Sequence, residues 1–181
     1  MYKPRYALVA YVRGAVGEFV ANLRQELHPD LPHLPAHLTL LPPRHLRGSE
    51  IAALETLEEV CSQVEPFDVV LGEAETFVPV TATVFIRVED GATRMHNLHD
   101  RLNAEALSAV EEWPYMPHLT IAKLSSETLA EQAYLTARDR WAEYGGSRRI
   151  AIRELTFVCE QEPDRWKDLA GVPLGRSLVK R

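Results

Sequence analysis

Apolar and polar positions alternate along the chain with two different periods, one typical of strands and one typical of helices. Residues 6–12 form an apolar run rich in aromatic and β-branched side chains, which predicts a buried strand. Over residues 19–27, apolar side chains recur at helical spacing up to Pro29, which predicts an amphipathic helix. A short apolar run at 37–41, a helix over about 49–64 and a strand that begins at 67 complete the first half.

The second half of the chain repeats the same order of elements. Residues 81–88 predict a strand, and apolar side chains at helical spacing over 95–110 predict a helix. An apolar run at 118–124, a helix over about 125–144 and a strand over 148–160 follow. The last segment, 165–175, is expected to pair back on that strand. An internal duplication accounts for this parallel between the halves.

The duplication predicts both the fold class and the domain organisation. We expect an α+β protein built from two strand–helix–strand–helix–strand units related by a pseudo-two-fold axis. Its sheets should be mostly antiparallel, with outer helices and a central cleft. Since no flexible linker separates the halves, residues 1–181 are predicted to form one domain. Its lobes would cover about 1–80 and 81–181, and the sequence leaves open whether they exchange a strand.

The composition is that of a folded protein in a reducing compartment. Of the 181 residues, 46% are hydrophobic and 25% are charged, which is typical of globular domains. No stretch approaches the ~18–20 consecutive apolar residues of a membrane helix, and the first residues lack the features of a signal peptide. Cys61 and Cys159 form no CxxC pair, so we expect reduced core thiols. These features predict a cytoplasmic protein without a membrane partner.

The net charge limits the kind of nucleic acid that the protein can bind. With 26 acidic against 20 basic residues, the formal charge is −6 at pH 7. A surface that grips long nucleic acid through many phosphates needs an excess of Lys and Arg, so such a surface is not expected. A small phosphate pocket is compatible with this charge. We therefore expect a nucleotide or a short RNA terminus as the ligand, and no obligatory protein partner.

Two polar residues interrupt two of the apolar runs in the same way. The first run reads HLTL and the second HLTI, and their histidines are 118 − 37 = 81 residues apart. Side chains alternate between the two faces of a strand, so His37 and Thr39 share one face. His118 and Thr120 share the equivalent face for the same reason. If a two-fold axis relates the two units, the four polar side chains can meet at one pocket.

Two imidazoles and two hydroxyl groups suit the cleavage of a phosphodiester. A histidine has an unperturbed pKa of ~6.5, so one ring can take a proton from an attacking oxygen while the other gives a proton to the leaving oxygen. The threonine hydroxyls can donate to the non-bridging oxygens, where negative charge builds up. A single HxT strand is more often structural, but a second one at the matching point of the duplication favours a paired site.

These motifs resemble those of the two-histidine (2H) phosphoesterase superfamily, particularly its 2′-5′ RNA ligase-like, RNA cyclic-phosphodiesterase branch. The resemblance rests on segments that read HLTLLPP, YMPHLTIAKL and RELTFVCE. It implies a bilobal α+β fold. It also implies an enzyme that needs no metal or cofactor and cleaves 2′,3′-cyclic phosphates or related 2′-linked phosphodiesters. Some members also join RNA ends through a 2′-5′ bond. The resemblance further implies that His37 and His118 are the general acid and base, in either order, and that Thr39 and Thr120 bind the phosphate oxygens.

Four further residues near the motifs are candidates for substrate binding. Arg44 and Arg47 follow the first motif and can bind a flanking phosphate, although exposed loop charges are an equal alternative. Tyr115 precedes the second motif and can either stack on a base or pack against the protein. Lys123 lies five residues after His118, so strict alternation turns it to the opposite face if no β-bulge intervenes.

Two other functions stay open at the level of the sequence. The same cleft could hold RNA ends or a nucleotide without catalysis, and a metal-dependent hydrolase is a further alternative. The histidines, however, lack the accompanying carboxylate or cysteine spacing of a recognised metal site, so no metal is predicted. The chain also lacks a GxSxG elbow, a glycine-rich phosphate loop and a dinucleotide fingerprint. Phe77 and Phe85 are expected in the core.

Overall fold

The periodicities of the sequence produce strands and helices close to the predicted positions. The computed structural model describes residues 2–28 and 35–175. In this part of the chain the strands are β1 (Arg5–Tyr11), β2 (His37–Arg44), β3 (Phe67–Thr76), β4 (Thr83–Asp90), β5 (His118–Lys123), β6 (Arg149–Ile152), β7 (Glu154–Glu162) and β8 (Arg165–Pro173). The α-helices are α1 (Gly14–Leu27), α2 (Glu50–Ser62), α3 (Ala92–Leu102) and α4 (Glu127–Glu143), and Glu105–Leu107 form a 3₁₀ turn.

One predicted helix is shorter than its apolar spacing suggested. The helix expected over 95–110 ends at Leu102. The side-chain oxygen of Asn103 accepts a hydrogen bond from the Ala109 N–H at 2.9 Å, which gives the backbone a partner outside the helix. The chain therefore leaves the helix there and continues into the 3₁₀ turn.

All the described strands form one antiparallel sheet with the order β6-β3-β4-β5-β2-β1-β7-β8. The strands that carry the two HxT motifs, β2 and β5, lie side by side at its centre. Each side of this centre mixes the two halves of the chain, since β3 pairs with β4 and β7 pairs with β1. The α+β prediction is confirmed, and the sheets of the two repeated units are continuous through the central strands.

The helices pack on one face of the sheet, which we call the helix-bearing face. Apolar residues of α1, α2, α3 and α4 share a single core with the inward side chains of the strands. Leu38 and Leu119, one from each central strand, have no exposed surface in this core. The other face, which we call the open face, carries a small apolar cluster around Val9. None of the described helices is long and apolar enough to cross a lipid bilayer.

Local capping signals start the helices that follow the two HxT strands. Ser49 accepts a hydrogen bond from the Ala52 N–H at the start of α2, and Ser126 accepts one from the Leu129 N–H at the start of α4. Each helix begins a few residues after its strand, so the chain returns to the helix-bearing face in both halves. This repeated turn leaves the polar side of both motifs uncovered by their own helices.

Arg44, at the end of β2, is a structural residue of the helix-bearing face. It pairs with Tyr6 of β1, and only 6% of its surface is exposed. Its Nη2 forms an ion pair with Glu111 at 2.5 Å. Its Nη1 donates to Asn103 Oδ1 at 2.7 Å and to the Leu107 carbonyl at 3.0 Å. The prediction that Arg44 binds substrate is wrong, because these contacts occupy its guanidinium on the face opposite the histidines.

Arg47 lies in the exposed loop between β2 and α2. Its backbone N–H donates to the Ala106 carbonyl at 2.9 Å, and Ala106 belongs to the apolar core beneath the helices. The loop is thereby tied to the helix-bearing side of the molecule. This tie favours the alternative of an exposed loop charge for Arg47 over substrate binding.

Replacing Arg44 should destabilise the fold, whereas replacing Arg47 should not. We expect Arg44→Ala to lower the free energy of unfolding by about 3 kcal/mol, because it removes the guanidinium that pairs with the largely buried Glu111 carboxylate. Arg47→Ala removes an exposed side chain of the same type and should change the free energy by less than about 0.5 kcal/mol. Urea unfolding followed by circular dichroism measures both values. Equal effects of the two substitutions would contradict the structural role of Arg44.

Candidate active site

The two HxT motifs are neighbours because β2 and β5 are adjacent antiparallel strands. The strands meet at a pair of leucines, one from the middle of each motif. Antiparallel register around this pair places His37 opposite Thr120, and Thr39 opposite His118. Each histidine therefore lies across from the threonine of the other motif. This arrangement has the two-fold symmetry that the duplication predicts.

All four polar side chains lie on the open face of the sheet. His37 pairs with Tyr11 on β1 and His118 pairs with Arg87 on β4, and ladder partners share a face. The leucines between the polar residues point into the helix-covered core on the other side. The four side chains are half-buried. The structure thus brings the predicted residues together, as neighbours on one continuous sheet.

Each histidine is anchored by the backbone of its own chain segment in the same way. Nδ1 of His37 lies 2.8 Å from the Pro35 carbonyl oxygen, and Nδ1 of His118 lies 2.7 Å from that of Met116. A carbonyl only accepts hydrogen bonds, so Nδ1 is the protonated nitrogen in each ring. In the neutral ring Nε2 then carries the lone pair and can accept a proton. The two rings are equivalent in geometry and in tautomer.

The surroundings lower the pKa of both histidines. Burial is the main cause in each ring, because it penalises the charged form. The hydrogen bond to the backbone carbonyl acts in the opposite direction and raises the pKa. The positive charge of Lys123 lowers the pKa of both rings, and the charges of Arg24 and His118 further lower that of His37. Without a bound anion, both rings favour the neutral form at pH 7.

Lys123 reaches the open face through a β-bulge. Val84 of β4 pairs with Ala122, but the next residue, Phe85, pairs with Thr120, so β5 contains an extra residue at this point. The bulge returns Lys123 to the side of the sheet that Thr120 occupies. Its side chain is exposed, and its charge lowers the pKa of both histidines, which indicates that it lies near them. Lys123 stays a predicted ligand of the substrate.

Two phenylalanines that were expected in the core line the site beside His118. The rings of Phe77 and Phe85 stack with 4.0 Å between their centroids, and each meets the imidazole of His118 edge-on at 5.2 Å. Phe85 is buried as expected, with 2% of its surface exposed, but on the open side of the sheet and not in the helix-covered core. The sequence signal for this position is the alternation that places Phe85 on the same side of β4 as the charged Arg87.

Tyr11 and Arg87 flank the two histidines on the outer side, and no sequence motif singles them out. Tyr11 pairs with the histidine of the first motif and donates from its hydroxyl to Asp168 Oδ1 at 2.5 Å. Burial raises the pKa of Tyr11, so the hydroxyl keeps its proton. Arg87 pairs with the histidine of the second motif and forms an ion pair with Glu75. Equivalent positions thus carry a neutral donor in one half and a cation in the other.

Tyr115 is half-buried and packs on the helix-bearing face. The ring stacks on His99 of α3, with 4.1 Å between the centroids and 3° between the planes. Its hydroxyl donates to the Thr39 carbonyl at 2.8 Å. Burial is the main cause that raises the pKa of this hydroxyl. These contacts favour the packing alternative for Tyr115 over stacking on a substrate base.

Comparison with known proteins gives a match to the model of the 2′-5′ RNA ligase superfamily over residues 12–158, a range that includes both motifs. One relative is a protein of Oceanobacillus iheyensis that is named as a proposed phosphoesterase. It is 28% identical over 122 residues, which cover 66% of this chain and 70% of that protein. A Bacillus cytotoxicus protein with a name of the same kind is 23% identical over 159 residues, which cover 87% of this chain and 91% of its own.

Solved structures share the fold over almost the whole chain. A protein of Thermus thermophilus gives a TM-score of 0.65 at 16% identity, covering 96% of this chain and 100% of that one. Escherichia coli LigT in complex with NADP⁺ gives a TM-score of 0.64 at 17% identity, covering 97% and 99%. LigT has also been solved in complex with 3′-AMP and with ATP. The family match agrees with this fold and with the paired HxT geometry, and the chain belongs to the 2′-5′ RNA ligase superfamily of 2H phosphoesterases.

Proposed function

We propose that this protein hydrolyses 2′,3′-cyclic phosphates, or related 2′-linked phosphodiesters, of nucleotides or short RNA ends by metal-independent acid–base catalysis. The observation that carries the proposal is the equivalent anchoring of His37 and His118 through Nδ1, which makes both Nε2 atoms proton carriers. Two such carriers suit a displacement at phosphorus in which one oxygen loses a proton while another gains one. The chemistry needs no Lewis acid, because both proton transfers are supplied by imidazole.

Hydrolysis follows from one in-line displacement. The neutral histidine takes a proton from water through Nε2, and the water oxygen forms a bond to phosphorus. The bond from phosphorus to one ribose oxygen breaks, and the protonated histidine gives its proton to that oxygen. General acid and general base help contribute ~10²–10⁴ each. The same groups serve ligation when the 5′-hydroxyl of an RNA end replaces water, which leaves a 2′-5′ bond.

The phosphate group itself provides the charge that one histidine needs. Burial and Lys123 lower the pKa of both rings in the free protein, whereas a bound phosphodiester anion raises it again. Substrate binding therefore favours the state with one charged and one neutral ring. The hydroxyls of Thr39 and Thr120 then donate to the non-bridging oxygens, and the Lys123 ammonium group neutralises part of their charge.

The substrate is proposed to be small. The formal charge of −6 disfavours a footprint over many phosphates, and LigT, which shares the fold, has been solved with single nucleotides. A nucleotide or the last residues of an RNA end present one scissile phosphate to the histidines. Tyr11 and Asp168 on one side and Phe77 on the other are the groups that such a ligand would meet next.

Replacing either histidine should remove turnover and spare binding. A panel of 2′,3′-cyclic nucleotides, a cyclic-phosphate RNA end and a 2′-5′ dinucleotide, assayed with a chelator, provides the substrates. We expect His37→Ala and His118→Ala to lower kcat by ~10²–10⁴, because each removes one proton carrier. The affinity for 3′-AMP, measured by calorimetry, should fall by a much smaller factor than kcat.

His45→Ala is the matched control, since His45 is exposed and bonded to the Pro4 carbonyl. Binding of 3′-AMP without turnover of any substrate would instead favour a non-catalytic nucleotide-binding module. Loss of all wild-type activity in the chelator would point to a metal-dependent hydrolase.

Replacing the motif threonines should slow the chemical step. Thr39→Val and Thr120→Val keep the branched shape that suits a strand and remove only the donor to the phosphate oxygens. We expect each to lower the single-turnover rate by ~10², as removal of one donor to a developing oxyanion does. Thr136→Val on the exposed side of α4 is the control. Single-turnover rates equal to wild type in both motif variants would remove the threonines from the mechanism.

The pH dependence of kcat/KM should be bell-shaped with its maximum below pH 6.5. One ring must be neutral and the other charged, so the maximum lies midway between the two free-enzyme pKa values. Both of these values are lowered from 6.5 by burial and by the charge of Lys123. Initial rates at low concentrations of a cyclic nucleotide between pH 4.5 and 8.5 measure the profile. A flat profile, or a maximum above pH 7, would contradict the assignment.

A further inference from the structure

The ladder between the two central strands is short. In the described part of the sheet, β2 and β5 pair only at Leu38 and Leu119. We call the space between these strands beside the leucines the seam. The Ala36 carbonyl accepts the Val12 N–H, so the backbone groups of Ala36 point to the β1 side. The direction of the backbone N–H and C=O groups alternates along a strand, so those of Thr39 point away from β1 and into the seam. By the same argument the Pro117 carbonyl accepts an N–H of β4, and the backbone groups of Thr120 face the seam from the other side.

The two threonine carbonyls in the seam accept hydrogen bonds from side chains and not from the opposite strand. The Tyr115 hydroxyl donates to the Thr39 carbonyl at 2.8 Å. Arg24 of α1 donates from Nη2 to the Thr120 carbonyl at 2.7 Å and from Nε to the Ile121 carbonyl at 3.3 Å. In a complete antiparallel ladder each of these threonine carbonyls would accept the backbone N–H of the histidine in the opposite motif. The two donors thus stand where ladder hydrogen bonds would otherwise form.

We propose that Tyr115 and Arg24 are positioning residues that hold the seam open and so set the distance between the two HxT motifs. The inference rests on the proposed function, since the distance matters only if both motifs act on one phosphate. In a closed ladder, directly opposed Cβ atoms lie ~4.5–5.5 Å apart, which brings the facing side chains into contact. A phosphate needs room between a histidine and the threonine across from it. The two donors provide that room by satisfying the carbonyls without closing the strands.

The position of Tyr115 is itself fixed by a charged cluster on the helix-bearing face. The ring of His99 that stacks on Tyr115 has Nε2 at 2.8 Å from Glu111 and Nδ1 at 2.9 Å from Asp100. Glu111 is also the ion-pair partner of Arg44. A planar ring held at both nitrogens gives the tyrosine a rigid surface to stack on. The cluster therefore connects the buried Arg44 to the carbonyl of Thr39 through contacts that the structure shows.

Arg24 affects the site through its hydrogen bonds and through its charge, and the two effects can be separated by substitution. Its positive charge lowers the pKa of His37, and burial lowers its own pKa. Lysine at this position keeps the charge, but its single ammonium group lacks the planar fork that reaches the carbonyls of Thr120 and Ile121 together. Arg24→Lys thus tests the hydrogen bonds, while Arg24→Met also removes the charge and should raise the pKa of His37.

The first test removes one hydroxyl from the seam. Tyr115→Phe keeps the stacked ring and should lower kcat by ~10–100-fold, as small misplacements of reacting groups do, with KM within about twofold. The pH profile should keep its shape, because no charge changes. Tyr134→Phe on α4, which lies outside the seam, is the matched control and should behave as wild type. Arg24→Lys should reproduce the loss of kcat with an unchanged pH profile, and it decides the matter if Tyr115→Phe does not fold.

The second test observes the seam without any assay of activity. Once the Thr39 carbonyl is released in Tyr115→Phe, it can accept the His118 N–H, so this amide should move downfield in ¹H–¹⁵N spectra and exchange more slowly with solvent. If the wild type turns over no substrate of the panel, the proposed function fails, and the amide alone decides the inference. An unchanged His118 amide, or wild-type kcat in both Tyr115→Phe and Arg24→Lys, would overturn it.

Discussion

The structure depends on one constraint, which is that the central strands β2 and β5 pair at a leucine from each motif. Burial of Leu38 and Leu119 in the common core fixes the strands at this point, since neither side chain has exposed surface. Alternation then turns the residues on either side of each leucine to the open face. Register alone places each histidine across from the threonine of the other motif. The candidate site is therefore a consequence of apolar packing on the opposite face.

The duplicated architecture gives symmetric chemistry within asymmetric surroundings. Both histidines use the same Nδ1 anchor and the same tautomer. Their neighbours differ, because Phe77 and Phe85 line one ring, while Tyr11 and its partner Asp168 lie beside the other. The position that matches Lys123 in the first motif is a proline, since 37 + 5 = 42 and 118 + 5 = 123. Such asymmetry suits a reaction in which the two exchanged oxygens, from water and from ribose, are chemically different.

The sequence predicts the features that depend on local periodicity. The strands, the helices, the α+β class and the shared face of the two HxT pairs all follow from alternation and from the repeat, which are properties of neighbouring residues. Alternation also bears on Phe85, which is buried as expected but shares the open side of β4 with Arg87, two residues further on. For Arg44, alternation from His37 decides nothing, because β2 contains two register shifts between Thr39 and Arg44.

Features that depend on contacts distant in sequence could not be predicted in this way. The bulge that returns Lys123 to the site arises from its register with β4, and a bulge has no reliable local signature. Tyr115 packs on the helix-bearing face because α3 supplies His99 to its ring and β2 supplies a carbonyl to its hydroxyl. Arg24 meets a strand almost a hundred residues further along the chain. Tertiary packing decides these positions, and it decides which of the polar and aromatic neighbours of a motif serve the site.

The central claim is that two equivalent imidazoles act on a single phosphate, and ¹⁵N NMR of the histidine rings tests it most directly. At pH 8 the account predicts the Nδ1–H tautomer for both His37 and His118. On titration with 3′-AMP, the Nε2 signals of both rings should shift together with one dissociation constant. A shift of one ring alone, two different dissociation constants, or rings in opposite tautomers would contradict a shared phosphate site.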